Sequence, residues 1–395
     1  MIIKKAYLII LSILLTVGCE KIVSPKGHFV VEVVTSKGKP ISGATIEGGI
    51  DWEFFSVKTD SRGVAILPSY ARGKSAVIYK NNFFPIIIQS LSSTEYILKS
   101  TPKQFKLVGN VAGWSIRFNS GILITIDYIG GYHVYSYDEQ SITEIASAQL
   151  PKCIKETQLR GDTLWFSTHD DGIYVYSLHD ALQPQQLFHF SIPRYLGPFA
   201  VKDTIVAVGN PWEPGPLRIF SYKSDGQYKE ISNFGNYLVV KTSFISDFLV
   251  IVNYYDNLPA ILDLQDPTNP RLVYNGVEPD YWSGFLFMNY LILIPRWELI
   301  EETTYYKLID LSNPTNPSNA GVFSADSRLY EIINDNTAIG AYYSYSGAIS
   351  VLNGSLTNGF QTTAIISEGT IPDEFGGCAP PYYIIGGRLW RLQDL

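Results

Sequence analysis

Ile261-Leu262-Asp263-Leu264-Gln265-Asp266-Pro267-Thr268-Asn269-Pro270 and Leu308-Ile309-Asp310-Leu311-Ser312-Asn313-Pro314-Thr315-Asn316-Pro317 are two copies of one pattern. Each starts as a short apolar strand and ends in a turn closed by two prolines. Proline fixes φ and withholds a hydrogen-bond donor, so the strand stops and the chain reverses there. The apolar half recurs without the prolines as Val134-Tyr135-Ser136-Tyr137, Val175-Tyr176-Ser177-Leu178, Ile219-Phe220-Ser221-Tyr222, Val351-Leu352-Asn353 and Leu389-Trp390-Arg391-Leu392. Counted at the third residue, the steps run from 38 (353 to 391) to 47 (263 to 310). That period is the length of one four-stranded propeller blade, and the repeated strand reads as the third of each.

Seven third strands predict seven blades, yet only Gln393, Asp394 and Leu395 follow the last one. The missing fourth strand is expected from Gln104-Phe105-Lys106-Leu107-Val108-Gly109, ahead of the first complete repeat. It would close the ring and protect the two edges that an open ring exposes. The proline-bearing turns resemble the LVIVD repeat, a propeller-forming family of bacterial surface and secreted proteins. The resemblance is close in two repeats and degenerate in the other five, and it implies architecture more than activity.

Upstream, Phe29 to Val34 alternates, Ser36-Lys37-Gly38-Lys39-Pro40 reads as a turn, and Ile41-Ser42-Gly43-Ala44-Thr45-Ile46 as a strand. Val57-Lys58-Thr59-Asp60-Ser61-Arg62-Gly63 is a strand running into a tight turn. These stretches resemble the carboxypeptidase regulatory-like (transthyretin-like) sandwich, which implies an accessory spacer or docking module. The expected fold class is all-β: a small β-sandwich followed by a seven-bladed β-propeller closed by an N-terminal strand.

The first residues carry an address. Lys4 and Lys5 precede an apolar run from Ala6 to Val17, followed by Gly18 and Cys19, the charged, apolar, small-residue order of a secretory signal. Twelve helical residues would span about 18 Å, short of a hydrocarbon core of roughly 30 Å. Leu15-Thr16-Val17-Gly18-Cys19 resembles a bacterial lipobox, with Thr16 where Leu is usual. The resemblance implies that Cys19 becomes an acylated N-terminus, and two such chains give stable anchoring. Glu20, rather than an Asp, points to the outer membrane, with its periplasmic or cell-surface side left open. The expected divisions are a signal peptide at 1–18, a lipidated tether at 19–26, the sandwich at 27–100 and the propeller at 101–395.

The composition agrees with a folded β protein. Of 395 residues, 46% are hydrophobic and only 17% charged, the reverse of a disordered chain. Aromatics reach 14%, with 27 Tyr against two Met, which favours strands. A net charge of −7 offers no general polyanion-binding surface, so nucleic acid is not an expected partner. Three cysteines are too few for a disulfide framework. With Cys19 lipidated, Cys153 and Cys378 remain, expected as two buried thiols on non-adjacent blades, although an oxidising compartment leaves a bond between them open.

The search for chemistry is mostly negative. His28, His133, His169, His179 and His189 show no zinc or facial-triad spacing, and no nucleophile elbow or phosphate-cradling loop occurs. Arg160-Gly161-Asp162 sits where a hairpin needs Gly and Asp. His169-Asp170-Asp171-Gly172 reads the same way, and neither a metal nor another cofactor is expected. One asymmetry remains. Loops joining second to third strands, and those joining successive blades, share one face. That face collects Asp170, Asp171, Glu213, Asp256, Glu278, Asp280, Glu298, Glu301, Glu302, Glu368, Asp373 and Glu374 against few basic residues such as Lys152, Arg194 and Arg296. Trp212, Trp297 and Tyr195 join them. Acids around exposed aromatics suit a basic protein patch, a cationic ligand or a stacked sugar, although the indoles could equally pin long loops to the propeller.

The candidate ligand-binding face is therefore Trp212, Glu213, Trp297, Glu298, Tyr195, Asp170 and Asp171, with no catalytic residues and lipidation at Cys19. The expected function is a non-enzymatic, lipid-anchored envelope binding or scaffold protein, monomeric, with an unknown protein or glycan ligand and the membrane as partner. Two alternatives stand beside it: a propeller hydrolase or lyase acting on a polysaccharide, and a structural envelope component.

Overall fold

The computed structural model describes residues 28–49, 53–119, 121–151, 154–169, 171–192, 197–211, 214–253, 259–276, 278, 280–295, 303–341, 349–366, 375–385 and 387–394. Regular structure among them is β apart from 3₁₀ turns at Ser69–Ala71 and at Glu53. The chain divides into two compact units after Thr101.

In the first unit a three-stranded sheet runs in the order Val64–Pro68, His28–Thr35, Glu95–Leu98, and a four-stranded one in the order Phe55–Lys58, Thr45–Gly48, Ala76–Tyr79, Ile86–Ile88. Phe29, Val31 and Val33 alternate onto one face of the first strand, as a half-buried strand requires. They meet Ile46, Leu67, Ile78 and Leu91 in a single apolar cluster. The strand expected over 41–46 starts only at Thr45. Ahead of it the buried Thr59 hydroxyl donates to the Ile41 carbonyl at 2.6 Å and accepts from the Ala44 N–H at 2.8 Å, which holds the segment in a turn. Asp60 closes the next turn by accepting from the N–H groups of Arg62 and Val64. Gly63 completes it with φ +75°, where a Cβ would lie 2.6 Å from the Val33 carbonyl oxygen. Only glycine fits both constraints.

In the second unit antiparallel runs of four strands follow one another. The first is Trp114–Asn119, Ile122–Ile126, Gly131–Tyr137 and Ile142–Gln149; the next is Ile154–Arg160, Thr163–Thr168, Gly172–Ser177 and Gln185–Phe190. Phe199–Lys202, Ile205–Val208, Gly215–Tyr222 and Tyr228–Tyr237 make a third, and Val239–Ile245, Phe248–Asn253, Pro259–Asp263 and Arg271–Asn275 a fourth. Two more, Tyr281–Phe287 to Ser318–Ala325 and Arg328–Asn334 to Gly359–Ile366, are joined by the single bridge Ala325 to Phe360. The last sheet takes Phe375–Ala379, Tyr382–Ile385 and Arg388–Asp394 from the end of the chain and Lys103–Asn110 from the start of the unit. Every repeated tetrad or triad quoted above overlaps the third strand of its run.

Each apolar cluster of this unit is shared by two consecutive runs. Ile124, Ile126 and Tyr132 of the first pack with Ile154, Leu164 and Phe166 of the second, and the pattern continues to the last. There Val108, Ile384 and Leu389 meet Leu123 and Tyr135 of the first run. The innermost strand Phe375–Ala379 also packs against Trp114–Asn119. The sheets thus return on themselves in a propeller-like arrangement, with the Gln104–Gly109 segment in the closing position.

The two proline-bearing turns share one device. Asp263 Oδ1 accepts from the Gln265 N–H at 2.9 Å, and Asp266 Oδ1 from the Thr268 hydroxyl at 2.6 Å. In the second copy Asp310 accepts from the Ser312 N–H at 2.8 Å, and Asn313 from the Thr315 hydroxyl at 2.7 Å. Two consecutive Asx turns thus set the reversal before proline fixes it.

Candidate functional site

Because strands alternate in direction, each run has a hairpin end, with its first-to-second and third-to-fourth turns, and a crossover end, with its second-to-third turns and the connections to the next run. The sequence-derived face lies at the crossover end. Of its residues Trp212, Glu213, Trp297, Glu298, Tyr195 and Asp170 lie outside the described residues, as do Cys19 and Cys153. Asp171 is described and locally engaged. It accepts from the Tyr174 hydroxyl, while His189 stacks on Tyr174 with centroids 4.0 Å apart and places Nε2 2.6 Å from the Asp171 carbonyl oxygen. Glu278, counted among the acids of this face, is spent on Lys307, whose Nζ lies 2.6 and 2.8 Å from its two oxygens. Arg160-Gly161-Asp162 is a hairpin turn: Gly161 has φ +58°, and Arg117 donates at 2.8 Å to both the Gly161 carbonyl and Asp162.

A second polar group occupies the first strands of several runs, near where the sequence reading expected a buried thiol at Cys378. Glu156 on Ile154–Arg160 accepts from the Phe199 N–H of the next sheet at 3.3 Å, and Gln158 donates to the Phe199 carbonyl at 2.5 Å. These side chains satisfy the free backbone edge that an innermost strand leaves. Burial raises the Glu156 carboxyl to about 7, offset in part by the charge of Lys241 and by the Phe199 bond. Burial also raises Glu331, again opposed by Lys241, and pushes the Cys378 thiol up to about 12, with Glu331 adding to the effect. Lys241 and Glu331 keep solvent access. The four residues sit on the first strands of four different runs, and Glu331 and Cys378 on neighbouring ones.

The third place is a cleft of about 680 Å³ at the hairpin end, between the Arg328–Ile366 run and the last sheet. Asn336 comes from a first-to-second turn, and Asn353, Ser355 and Asn358 from the strand end and turn that follow the third strand. Gly354 is required there, because a Cβ would stand 2.0 Å from the Gly359 carbonyl oxygen. The opposite wall is Pro380 and Pro381, Arg391 and Gln393 of the third strand, and Lys103 of the closing strand. Sequence reading placed Asn353 in a repeated third strand and did not single out Asn336 or Asn358. The signal that marks them is their recurrence on two adjacent turns of one run. Among the described residues no grouping of three or more His, Cys, Asp or Glu could hold a metal ion, and no helix is long and apolar enough to cross a membrane.

No family model matches the sequence, and no curated protein does. Solved structures resemble it at low identity. One is a protein of unknown function from Desulfotomaculum acetoxidans DSM 771, 11% identical with a TM-score of 0.48, covering 84% of this chain and 97% of that one. A protein from Lactobacillus plantarum is 9% identical with a TM-score of 0.47, covering 90% and 100%. A chain of the mitotic checkpoint complex is 11% identical with a TM-score of 0.46, covering 75% and 94%. Similarities of this size carry no argument about what the chain does.

Proposed function

We propose that the chain is a lipid-anchored binding protein of the bacterial cell envelope, acylated at Cys19 and held at the outer membrane. In this reading residues 27–100 form a carboxypeptidase regulatory-like sandwich that spaces the second unit from the membrane. Residues 101–395 form a monomeric LVIVD-type propeller of seven blades, the eight-stranded sheet counting as two, and its ends recognise a protein or glycan without catalysis. One observation carries the recognition role: the hairpin-end cleft gathers asparagine side chains that make no hydrogen bond among the described residues. Polar groups unspent on the fold are the groups a ligand uses.

The test is a glycan array and an envelope-extract pulldown with wild type, an Asn353→Ala/Asn358→Ala variant and a Trp212→Ala/Trp297→Ala variant. Loss of the retained partner in the first variant places recognition at the hairpin end, and loss in the second at the crossover end. Retention of no partner by the wild type overturns the reading in favour of a structural component.

A second reading, a propeller hydrolase acting on a polysaccharide, is favoured by Glu156. Burial raises its carboxyl to about 7, toward the range of a general acid, and such a reaction also needs a second carboxyl facing it. Release of reducing ends from an envelope polysaccharide by wild type but not by Glu156→Gln would establish it.

A further inference from the structure

We propose that the hairpin-end cleft binds an anionic carbohydrate, its hydroxyls on the asparagine amides and its carboxylate or phosphate beside Arg391 and Lys103. This rests on the reading of the second unit as a recognition module and names the ligand class of that module.

Its size comes first. About 680 Å³ lies within the range of roughly 300–1,000 Å³ typical of small-ligand sites. The composition of its walls decides the chemistry. An Asn amide offers both donors and acceptors on one planar group, which matches a sugar hydroxyl that donates and accepts at once. Asn336, Asn353 and Asn358 are all exposed. Their backbones are fixed by the turns: the Asn336 N–H donates to Asn334 at 3.0 Å and the Asn358 N–H to Ser355 at 3.2 Å. Their side chains are thus presented from a preorganised frame. Pro380 and Pro381 supply apolar C–H surface on the facing wall, suited to the flat face of a sugar ring.

The charge is one-sided. Among the described residues its lining carries the cations Lys103 and Arg391 and no carboxylate. Glu139 stands outside the lining and takes one hydrogen bond from Arg391 at 2.8 Å. The Arg391 Nε is buried and makes no bond among the described residues. A guanidinium has five donors in a planar fork suited to a carboxylate or phosphate. The Arg391 side chain keeps 25% of its surface exposed, and it is this exposed part, not the buried Nε, that an incoming anion meets.

The experiment is isothermal titration calorimetry of the full chain with trigalacturonate, glucose 1-phosphate and neutral maltotriose. At least one anion is expected to bind at least tenfold tighter than maltotriose, and 0.5 M NaCl should weaken it several-fold. Trigalacturonate alone would identify a carboxylate ligand, and glucose 1-phosphate alone a phosphate. Asn353→Asp/Asn358→Asp, at exposed positions, should keep the wild-type circular dichroism and melting temperature while lowering anion affinity at least tenfold. Equal affinity for maltotriose and the anions overturns the anionic inference and leaves the recognition reading standing. Unchanged anion binding by the Asp variant overturns the site. Binding of none of the three, with a partner still lost from the Asn353→Ala/Asn358→Ala variant in the pulldown, overturns the ligand class alone.

Discussion

The guanidinium of Arg391 donates to the carboxylate of Glu139 at 2.8 Å across 252 residues of sequence. It links the third strand of the last sheet to the third-to-fourth turn of the first. Glu139 is 67% exposed, and exposed ion pairs contribute about 0–1 kcal/mol. The pair marks where the ring meets itself without holding it shut. Closure comes from the pairing of Lys103–Asn110 with Arg388–Asp394 and from Phe105 buried against Tyr383 and Trp390, with ring centroids 5.6 and 6.5 Å away. Glu139→Ala should therefore lower stability by no more than about 1 kcal/mol. A chain beginning at Ala112 should aggregate through unpaired edges, whereas one beginning at Thr101 should fold and stay monomeric. Gel filtration and calorimetry decide: equal solubility and equal cooperative unfolding of the two shortened chains would sink the closing role of this strand.

Glu156 gives the unit a pH dependence whose sign is fixed. Its folded value is raised to about 7, above that of an unfolded glutamate. The protonated folded state is thus favoured, and the stability it contributes is complete below about pH 4.3 and lost as pH rises toward 7. Glu156→Gln keeps an oxygen to accept from the Phe199 N–H and removes the charge. At pH 8 it should raise stability by on the order of 3 kcal/mol, and at pH 4 change it little. Melting curves at the two pH values check this, and an equal shift at both would show that charge burial is not the cause.

The two proline-bearing turns should differ in their tolerance to substitution. Asp263 is 5% exposed and bonds both the Gln265 N–H and, at 2.5 Å, Arg271. Asp263→Ala should cost roughly 1–3 kcal/mol, since it leaves a donor without its acceptor. Asp310 bonds the Ser312 N–H in a more open setting, so Asp310→Ala should lower the melting temperature less. The reverse order, read by thermal denaturation, would mean that the Asx turns do not set these reversals.

Cys19→Ser should abolish labelling by a palmitate analogue and release the protein from sedimented membranes. No described helix offers a span to replace the anchor. Continued sedimentation of the variant after a high-salt wash would count against lipidation.

Repetition made most of the second unit legible. The third strand carries the apolar triad in every run, because it is packed from both sides and cannot vary freely. Val351, for one, is fully buried between neighbouring sheets. The closing strand was legible because Gln104–Gly109 precedes the first complete repeat without a run of its own to join. The candidate sites were less so. Glu156 and Gln158 look like the polar half of an alternating strand, and only the ring turns that half toward the centre. Asn353 read as the third residue of a repeated strand, and Asn336 and Asn358 did not stand out from their turns. Their shared wall exists because two turns of one run end at the same level, a relation that no local pattern encodes. At 41–46 a β-rich composition suggested a strand, and a side chain from a distant turn, the Thr59 hydroxyl, overrode it.

The pairing of Lys103–Asn110 with Arg388–Asp394 also sets a schedule. The strand made first in this unit waits for the strand made last, so no partial product of synthesis can seal the ring. Contacts between such distant segments form slowly, and partly built sheets expose sticky edges meanwhile. A polypeptide lacking residues 388–394 would leave its opening strand without a mate. The closing pairing thus makes the order of this unit depend on its two most distant strands at once.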